Sequence, residues 1–95
     1  MATRTGVQLI ADERQRQVDV EGYGPESDRG RAGALMAAAT CYTYQALAPG
    51  AFVYRIPEGW PWAAEFWKPA DSAERNLVKA GALIAAAIDS LKAGV

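Results

Sequence analysis

The sequence predicts an all-α fold: a three-helix small domain with a long Trp/Pro-rich loop, assembling as a helical homo-oligomer. Three observations carry that prediction. Three segments show helical periodicity with caps and breakers at their ends. Most of the proline punctuation falls between the second and third of them. The third is apolar around most of its circumference, which three helices in 95 residues cannot fully cover. Residues 1–95 form a single helical domain with one core.

Taken in order, the first helix follows Thr5 as its cap and runs through VQLIADERQRQVDV. Val7, Ile10, Ala11 and Val18 lie near one face and are expected to be its buried side. Asp12, Glu13, Arg16 and Asp19 are expected to mark its wet side. The helix stops at Glu21-Gly22-Tyr23-Gly24-Pro25, because two glycines and a proline do not continue it. Asp28 is expected to cap the second helix, RGRAGALMAAATCYTYQAL, which ends before Pro49-Gly50. Its Gly33, Ala34, Ala37, Ala38 and Cys41 offer a smooth surface for close approach of another helix.

Between Ala48 and Ala70 the chain is irregular. A short extended piece fits Phe52-Val53-Tyr54, and one helical turn fits Trp62 to Trp67. Asp71 or Ser72 then caps the third helix, ERNLVKAGALIAAAIDSLK, with Glu74 at a capping-box-like spacing from Asp71. Leu77, Ala80, Ile84, Ile88 and Leu91 form one apolar stripe on it. Val78, Ala82, Leu83 and Ala86 make much of the other side apolar too. The small-residue faces are where copies of the chain are expected to meet.

Composition narrows the chemistry. A net charge of −1 argues against general nucleic-acid or membrane binding, both of which usually need a basic excess. The longest apolar run, Ala80 to Ile88, is too short to cross a bilayer. MATRTGVQLI has no basic region followed by an apolar stretch, so no signal peptide is expected and the cytoplasm is the expected setting. Cys41 is the single cysteine, which leaves no disulfide framework. There is no histidine, which removes His-based general-base chemistry and the usual zinc sites. Neither a metal nor a cofactor is expected.

Catalysis finds little support. Glu13, Glu21, Glu26 and Asp28 cluster around the first turn, but all-α pyrophosphohydrolases of the MazG type pair E-x-x-E and E-x-x-D on facing helices. Here the second helix carries no acid, and Glu74 and Asp89 on the third are too far apart to share an ion. No serine, threonine or cysteine has an activating partner, and no glycine-rich phosphate loop is present. The sequence is therefore read as a non-enzyme.

Binding chemistry is better supplied. Arg75 and Lys79 share one face at i, i+4, Arg14 is a third candidate cation, and Lys68 adjoins Trp67. Guanidinium groups hold phosphate through paired hydrogen bonds, and an indole face stacks a base. Trp60, Trp62 and Trp67, all within EGWPWAAEFWKP, are read either as a plug for an alanine-rich core or as a ligand wall. The stiffness supplied by Pro61 and Pro69 suits a wall at Trp60 and Trp62, whereas Trp67 shares a helical turn and suits the plug.

Six motifs stand in order: ERQRQ at Glu13 to Gln17, EGYGPESD at Glu21 to Asp28, AAATCYTY at Ala37 to Tyr44, WPW at Trp60 to Trp62, WKP at Trp67 to Pro69, and RNLVKAGALIAAAI at Arg75 to Ile88. Together they resemble a family of small proteins encoded by phages and prophages. That family's pattern reads ER-x-RQ, EGW-T-PEHDD, an alanine-rich helix with a tyrosine, WPW, WKP and RDLVKAGALI. The chain departs from it where Ser27, Asp28 and Arg29 replace His-Asp-Asp, which argues against a metal or acid–base role for that triplet and bears less on a binding or structural one. The resemblance implies a phage protein acting in the host cell cytoplasm. Small helical, oligomeric phage proteins include counter-defence sponges that trap nucleotide-derived immune signals.

The expectation is thus an anti-defence viral protein that sequesters a cyclic nucleotide or cyclic ADP-ribose type signal at an oligomer interface. Trp60, Trp62 and Trp67 would wall the base, and Arg14, Arg75 and Lys79 would neutralise phosphate. Tyr23, Glu26 and Asp28 would take ribose hydroxyls or amino groups. A MazG-like relative and a protein–protein inhibitor with a Trp-rich hot spot are the alternatives.

Overall fold

The computed structural model describes residues 3–21, 30–48 and 55–93. These fold as three α-helices, with no strand among the described residues: α1 (Gly6–Glu21), α2 (Ala32–Leu47) and α3 (Ala73–Lys92). A 3-10 turn, Ala64–Phe66, lies in the connection between α2 and α3, within the stretch where the sequence leaves room for one. Tyr23, Glu26, Asp28 and the extended piece at Phe52-Val53-Tyr54 lie outside the described residues.

Helix α1 starts at a reciprocal capping box. Thr5 Oγ1 accepts from the Gln8 amide at 3.2 Å, and Gln8 Oε1 accepts from the Thr5 amide at 2.7 Å. Helix α2 begins later than the sequence predicts, with Arg31 rather than Asp28 at its N-cap. The reason is local: Gly30 takes φ +73°, a left-handed conformation that a helix cannot include. Of the two candidate caps for α3, Ser72 serves, its Oγ accepting from the Arg75 amide at 3.1 Å.

Helix α3 is the central element. It packs against both α1 and α2, which make no direct pairing with each other among the described residues. The α2–α3 seam is built from small side chains. Ala38, Ala39 and Cys41 of α2 join Ala80, Ala86 and Ala87 of α3 in one buried cluster with Leu35, Tyr42, Trp67 and Leu83. Ala38 and Cys41, which the sequence suggested for contact between copies, are therefore consumed inside the chain. Close approach of the helices leaves a shallow core, and Trp67 supplies the volume that the alanines lack.

The apolar stripe of α3 splits. Ala80 is buried, whereas Leu77, Ile84, Ile88 and Leu91 are exposed, and every exposed position from 77 to 91 is one of those four aliphatic residues. Met36, Tyr44 and Leu47 of α2 are exposed as well, and Met36, Tyr44 and Leu47 share one shallow apolar concavity with Ile84.

Helix α1 packs only in part as the sequence predicts: Asp12 and Asp19 are exposed and Ile10 and Val18 turn toward the fold, but the remaining positions depart from it. Val7 is 79% exposed and Ala11 is exposed, while Ile10 and Val18 are only partly covered. The side chains it buries deepest are Glu13, 2% exposed, and Gln17, 3% exposed. One apolar contact with α3 is Ile10 over Gly81, where a Cβ would stand 2.5 Å from Ile10 Cδ1.

Candidate functional site

A cavity of about 280 Å³ opens where α1 and the aromatic loop face each other across α3. Helix α1 lines it with Glu13, Arg16, Gln17 and Val20, whose i, i+3, i+4, i+7 spacing sets them on one face. Helix α3 contributes Arg75, Lys79 and Leu83, again one face. The loop adds Trp60, Trp62, Phe66 and Lys68, and α2 adds Tyr42.

The loop is held in place by polar contacts that the sequence hides. A turn at Pro57 to Trp60 is closed by the Trp60 amide donating to the Pro57 carbonyl at 3.2 Å, with Gly59 at φ +91° in the position that demands glycine. Trp60 Nε1 donates to the Ala63 carbonyl at 3.1 Å. Further on, the Tyr42 hydroxyl accepts from the Lys68 amide at 3.2 Å, and Lys79 Nζ donates to the Lys68 carbonyl at 2.8 Å. Buried Asn76 clamps Ala70 from both sides, accepting from its amide at 2.8 Å and donating to its carbonyl at 3.0 Å. Four backbone groups of the loop's second half are thus satisfied by side chains of α2 and α3, which fixes the rings that precede it.

Those rings form a connected cluster. Tyr42 and Trp67 lie 4.7 Å apart between centroids, Trp60 and Trp67 5.0 Å, and Trp60 meets Trp62 edge-on at 5.5 Å. Trp67 is buried at the back of the cluster and does not line the cavity, whereas Trp60 and Trp62 do. Arg31 places its guanidinium 5.5 Å from the Trp62 ring centre, and Lys79 Nζ sits 5.6 Å from that of Tyr42.

Glu13 organises the opposite wall. Arg16 grips it with both arms, Nε to Oε1 at 2.9 Å and Nη2 to Oε2 at 2.8 Å. Arg75 Nη2 donates to Oε1 from α3, and Gln17 Nε2 donates to Oε2 at 3.2 Å. Burial pushes the Glu13 carboxyl up, but the hydrogen bonds and charge of Arg16, the charge of Arg75 and the Gln17 amide outweigh it, and its pKa is lowered. The group is therefore an anion at neutral pH. Its Gln17 neighbour has its Oε1 buried with no hydrogen-bond partner among the described residues.

Four of the nine residues singled out from sequence, Trp60, Trp62, Arg75 and Lys79, meet around this one cavity. Trp67 supports it from the core. Arg14 does not line it and instead pairs with Asp89 at 3.2 Å. Tyr23, Glu26 and Asp28 lie outside the described residues. Sequence reasoning missed Glu13, Gln17 and Tyr42 as site residues and left Arg16 on the wet face. The signal was present in ERQRQ, whose polar residues repeat at helical spacing, but polar repeats ordinarily face water.

Chemically, the cavity joins four cations, Arg16, Lys68, Arg75 and Lys79, to a single carboxylate and an indole wall. No three of His, Cys, Asp and Glu come together in a metal-ligating arrangement among the described residues. Cys41 is buried within the core, and burial raises its thiol pKa, which disfavours the reactive thiolate. Among the described residues no helix is long and apolar enough to cross a membrane. Comparison with protein-family models, curated proteins and solved structures finds no match to this chain.

Proposed function

We propose that the protein binds and sequesters a small nucleotide-derived anion in this cavity and releases it unchanged. The observation that carries the reading is the convergence of Arg16, Arg75, Lys79 and Lys68 with Trp60, Trp62 and Tyr42 on one half-open cavity. Fixed cations in a partly buried pocket attract phosphate more strongly than the same groups would in water. Indole rings beside them offer a base a face to stack on. The phage setting, the host cytoplasm and the role as a sponge for cyclic nucleotide or cyclic ADP-ribose type immune signals rest on the motif order given above. The test is calorimetric titration of the protein with nucleoside monophosphates, cyclic nucleotides and cyclic ADP-ribose, followed by recovery of each compound. Saturable binding with intact recovery is expected; no binding by any of them would remove the reading, and turnover would make the protein an enzyme.

Self-association belongs to the same proposal, but on a different surface from the ligand. Arg75, Lys79 and Leu83 lie on one side of α3, and Leu77, Ile84, Ile88 and Leu91 lie roughly 150° around its axis at about 100° per residue. Copies pairing through the aliphatic side would leave the cavity open, so the ligand is held within one chain instead of between copies. Light scattering of the wild type and of Ile88→Glu checks this. A charge in a buried apolar contact is costly, so the variant is expected to be smaller in mass and still helical.

A further inference from the structure

The side of α3 turned away from the cavity carries a pattern of its own. Leu77, Gly81, Ile84, Ile88 and Leu91 follow one another at alternating steps of four and three residues, the spacing of a coiled-coil seam. Ile10 of α1 lies over Gly81 and borders this seam on one side. Met36 and Leu47 of α2, which share a concavity with Ile84, border it on the other. Thr40 and Thr43 line that concavity too, but their hydroxyls donate back to the Met36 and Ala39 carbonyls, both at 2.9 Å. Both hydroxyl protons are thus taken up within α2, which leaves the band largely apolar across its width.

Area indicates what covers such a band. Met36, Leu47, Leu77, Ile84, Ile88 and Leu91 are each about half exposed or more, and together present on the order of 600 Å². That is the upper end of the roughly 300–600 Å² that a typical monomer leaves bare, and it approaches the roughly 800 Å² that each partner of a stable pair buries. The fold is also a slab, 40 × 37 × 20 Å, whereas a domain ordinarily closes its core between packed layers. Charge then sets the direction of the second slab. Glu74 and Lys92 are exposed in the first and last turns of α3, and stand roughly five whole turns apart on one line beside the seam. A copy laid antiparallel brings each Glu74 beside Lys92 of its mate, with only aliphatic residues exposed between them from 77 to 91. A parallel copy sets like helix ends, and so like dipole ends, side by side.

Resting on the self-association proposed above, we infer that a second copy of this chain docks on the seam as a two-fold dimer, with α3 antiparallel to α3. Ile84 lies near the axis, and Glu74 meets Lys92 of the mate at either end. The cavities stand on the far side of α3, so each copy keeps its own, facing outward.

The experiment uses the wild-type chain. Sedimentation equilibrium over a micromolar range measures the assembly, and a zero-length carbodiimide joins carboxylates to amines already in contact. Glu74 and Lys92 of one chain stand about 27 Å apart along α3, so a bond between them forms only between copies. A species of twice the chain mass is expected, and a peptide linking Glu74 to Lys92 in the coupled product. Mixing isotope-labelled with unlabelled chains should give that peptide at mixed mass. Leu91→Asp is expected to raise the dimer dissociation constant about tenfold or more, since a two-fold contact buries the new charge twice. Circular dichroism should show its helices unchanged, because Leu91 is 61% exposed within the chain. The wild-type cross-link stands if that variant misfolds. A dimer without the Glu74–Lys92 peptide, a trimer, or mass that grows without limit overturns the antiparallel pairing and leaves self-association intact. A monomer at every concentration removes self-association and this inference with it, and marks the band as the seat of a different partner.

Discussion

Helices α1 and α2 pack against the same partner by opposite rules. Helix α2 buries Leu35, Ala38, Ala39, Cys41, Tyr42 and Ala46 with a single polar side chain, Gln45, in a largely apolar face pressed onto the alanines of α3. Helix α1 buries Glu13 and Gln17 and leaves Val7 and Val20 79% and 70% exposed, Val20 at the mouth of the cavity. The first arrangement draws its stability from area removed from water. The second depends on a charged network with Ile10 over Gly81 beside it; among the described residues each helix holds one buried amide oxygen without a partner, Gln17 Oε1 in α1 and Gln45 Oε1 in α2. Such a trade is hard to explain by stability, since a buried ion pair seldom outperforms apolar residues of similar volume. The difference teaches that the α2–α3 pair is the scaffold and that α1 is the wall it carries.

Removing the ring behind the loop should break the scaffold side of that comparison most severely. Trp67 is 7% exposed and touches Tyr42 and Trp60 across the alanine seam. Trp67→Ala is expected to cost about 3–5 kcal/mol, since neighbours as small as alanine cannot collapse into the void. On a domain this small that approaches the whole margin, so urea melts followed by circular dichroism should show loss of all three helices together. A variant that loses only α1 signal would refute the division into scaffold and wall.

Glu13→Gln strikes the wall instead. The amide keeps the shape but removes the charge that gathers Arg16 and Arg75, at a cost of about 1–3 kcal/mol. Hydrogen exchange is the discriminating measurement. Amides of α1 should open at lower free energy, while those of the α2–α3 seam keep their protection. Uniform loss of protection across α2 and α3 would mean that Glu13 belongs to the scaffold.

Acid offers the same test without a mutation. Because the folded pKa of Glu13 lies below its ordinary value of 4.5, its contribution to stability is fully present above 4.5. That contribution is lost as pH falls from 4.5 through the folded value. The wild-type unfolding midpoint should therefore decline in acid more steeply than that of Glu13→Gln, with the two curves running parallel at neutral pH. Equal acid sensitivity of both proteins would show that other carboxylates dominate.

Much of the scaffold was legible in the sequence, and little of the wall was. The segments VQLIADERQRQVDV and ERNLVKAGALIAAAIDSLK predict α1 and α3 to within two residues, because caps and breakers act locally. The late start of α2 escaped because nothing in RGRAG says which glycine turns left-handed; it is Gly30. Trp60, Trp62, Arg75 and Lys79, which line one cavity, could be singled out because stacking and phosphate chemistry are properties of residue types. Glu13 and Gln17 were not, since their burial depends on Arg75, 62 residues from Glu13 in the chain, arriving from α3. Periodicity reports which residues share a face, and only tertiary structure decides whether a polar face meets water or another helix.

The finest test of the comparison lies where α1 does make an apolar contact. Gly81 faces Ile10, and a Cβ there would stand 2.5 Å from Cδ1 and 2.8 Å from Cγ1. Gly81→Ala therefore sets two effects of similar size against each other. Alanine favours the helix by about 1 kcal/mol over glycine. Crowding a packed contact costs about 1–3 kcal/mol, toward the low end where the clashing atoms are the end of a flexible side chain. The net change should be small, within about 1 kcal/mol of zero. The coupling carries the information. In an Ile10→Ala background the crowding disappears and the helix term remains, so the same substitution should become stabilising by a few tenths of a kcal/mol or more. Denaturant melts of the four proteins in this cycle measure the difference directly. A coupling energy near zero would mean that α1 does not rest on Gly81, leaving the Glu13 network as its principal hold on α3.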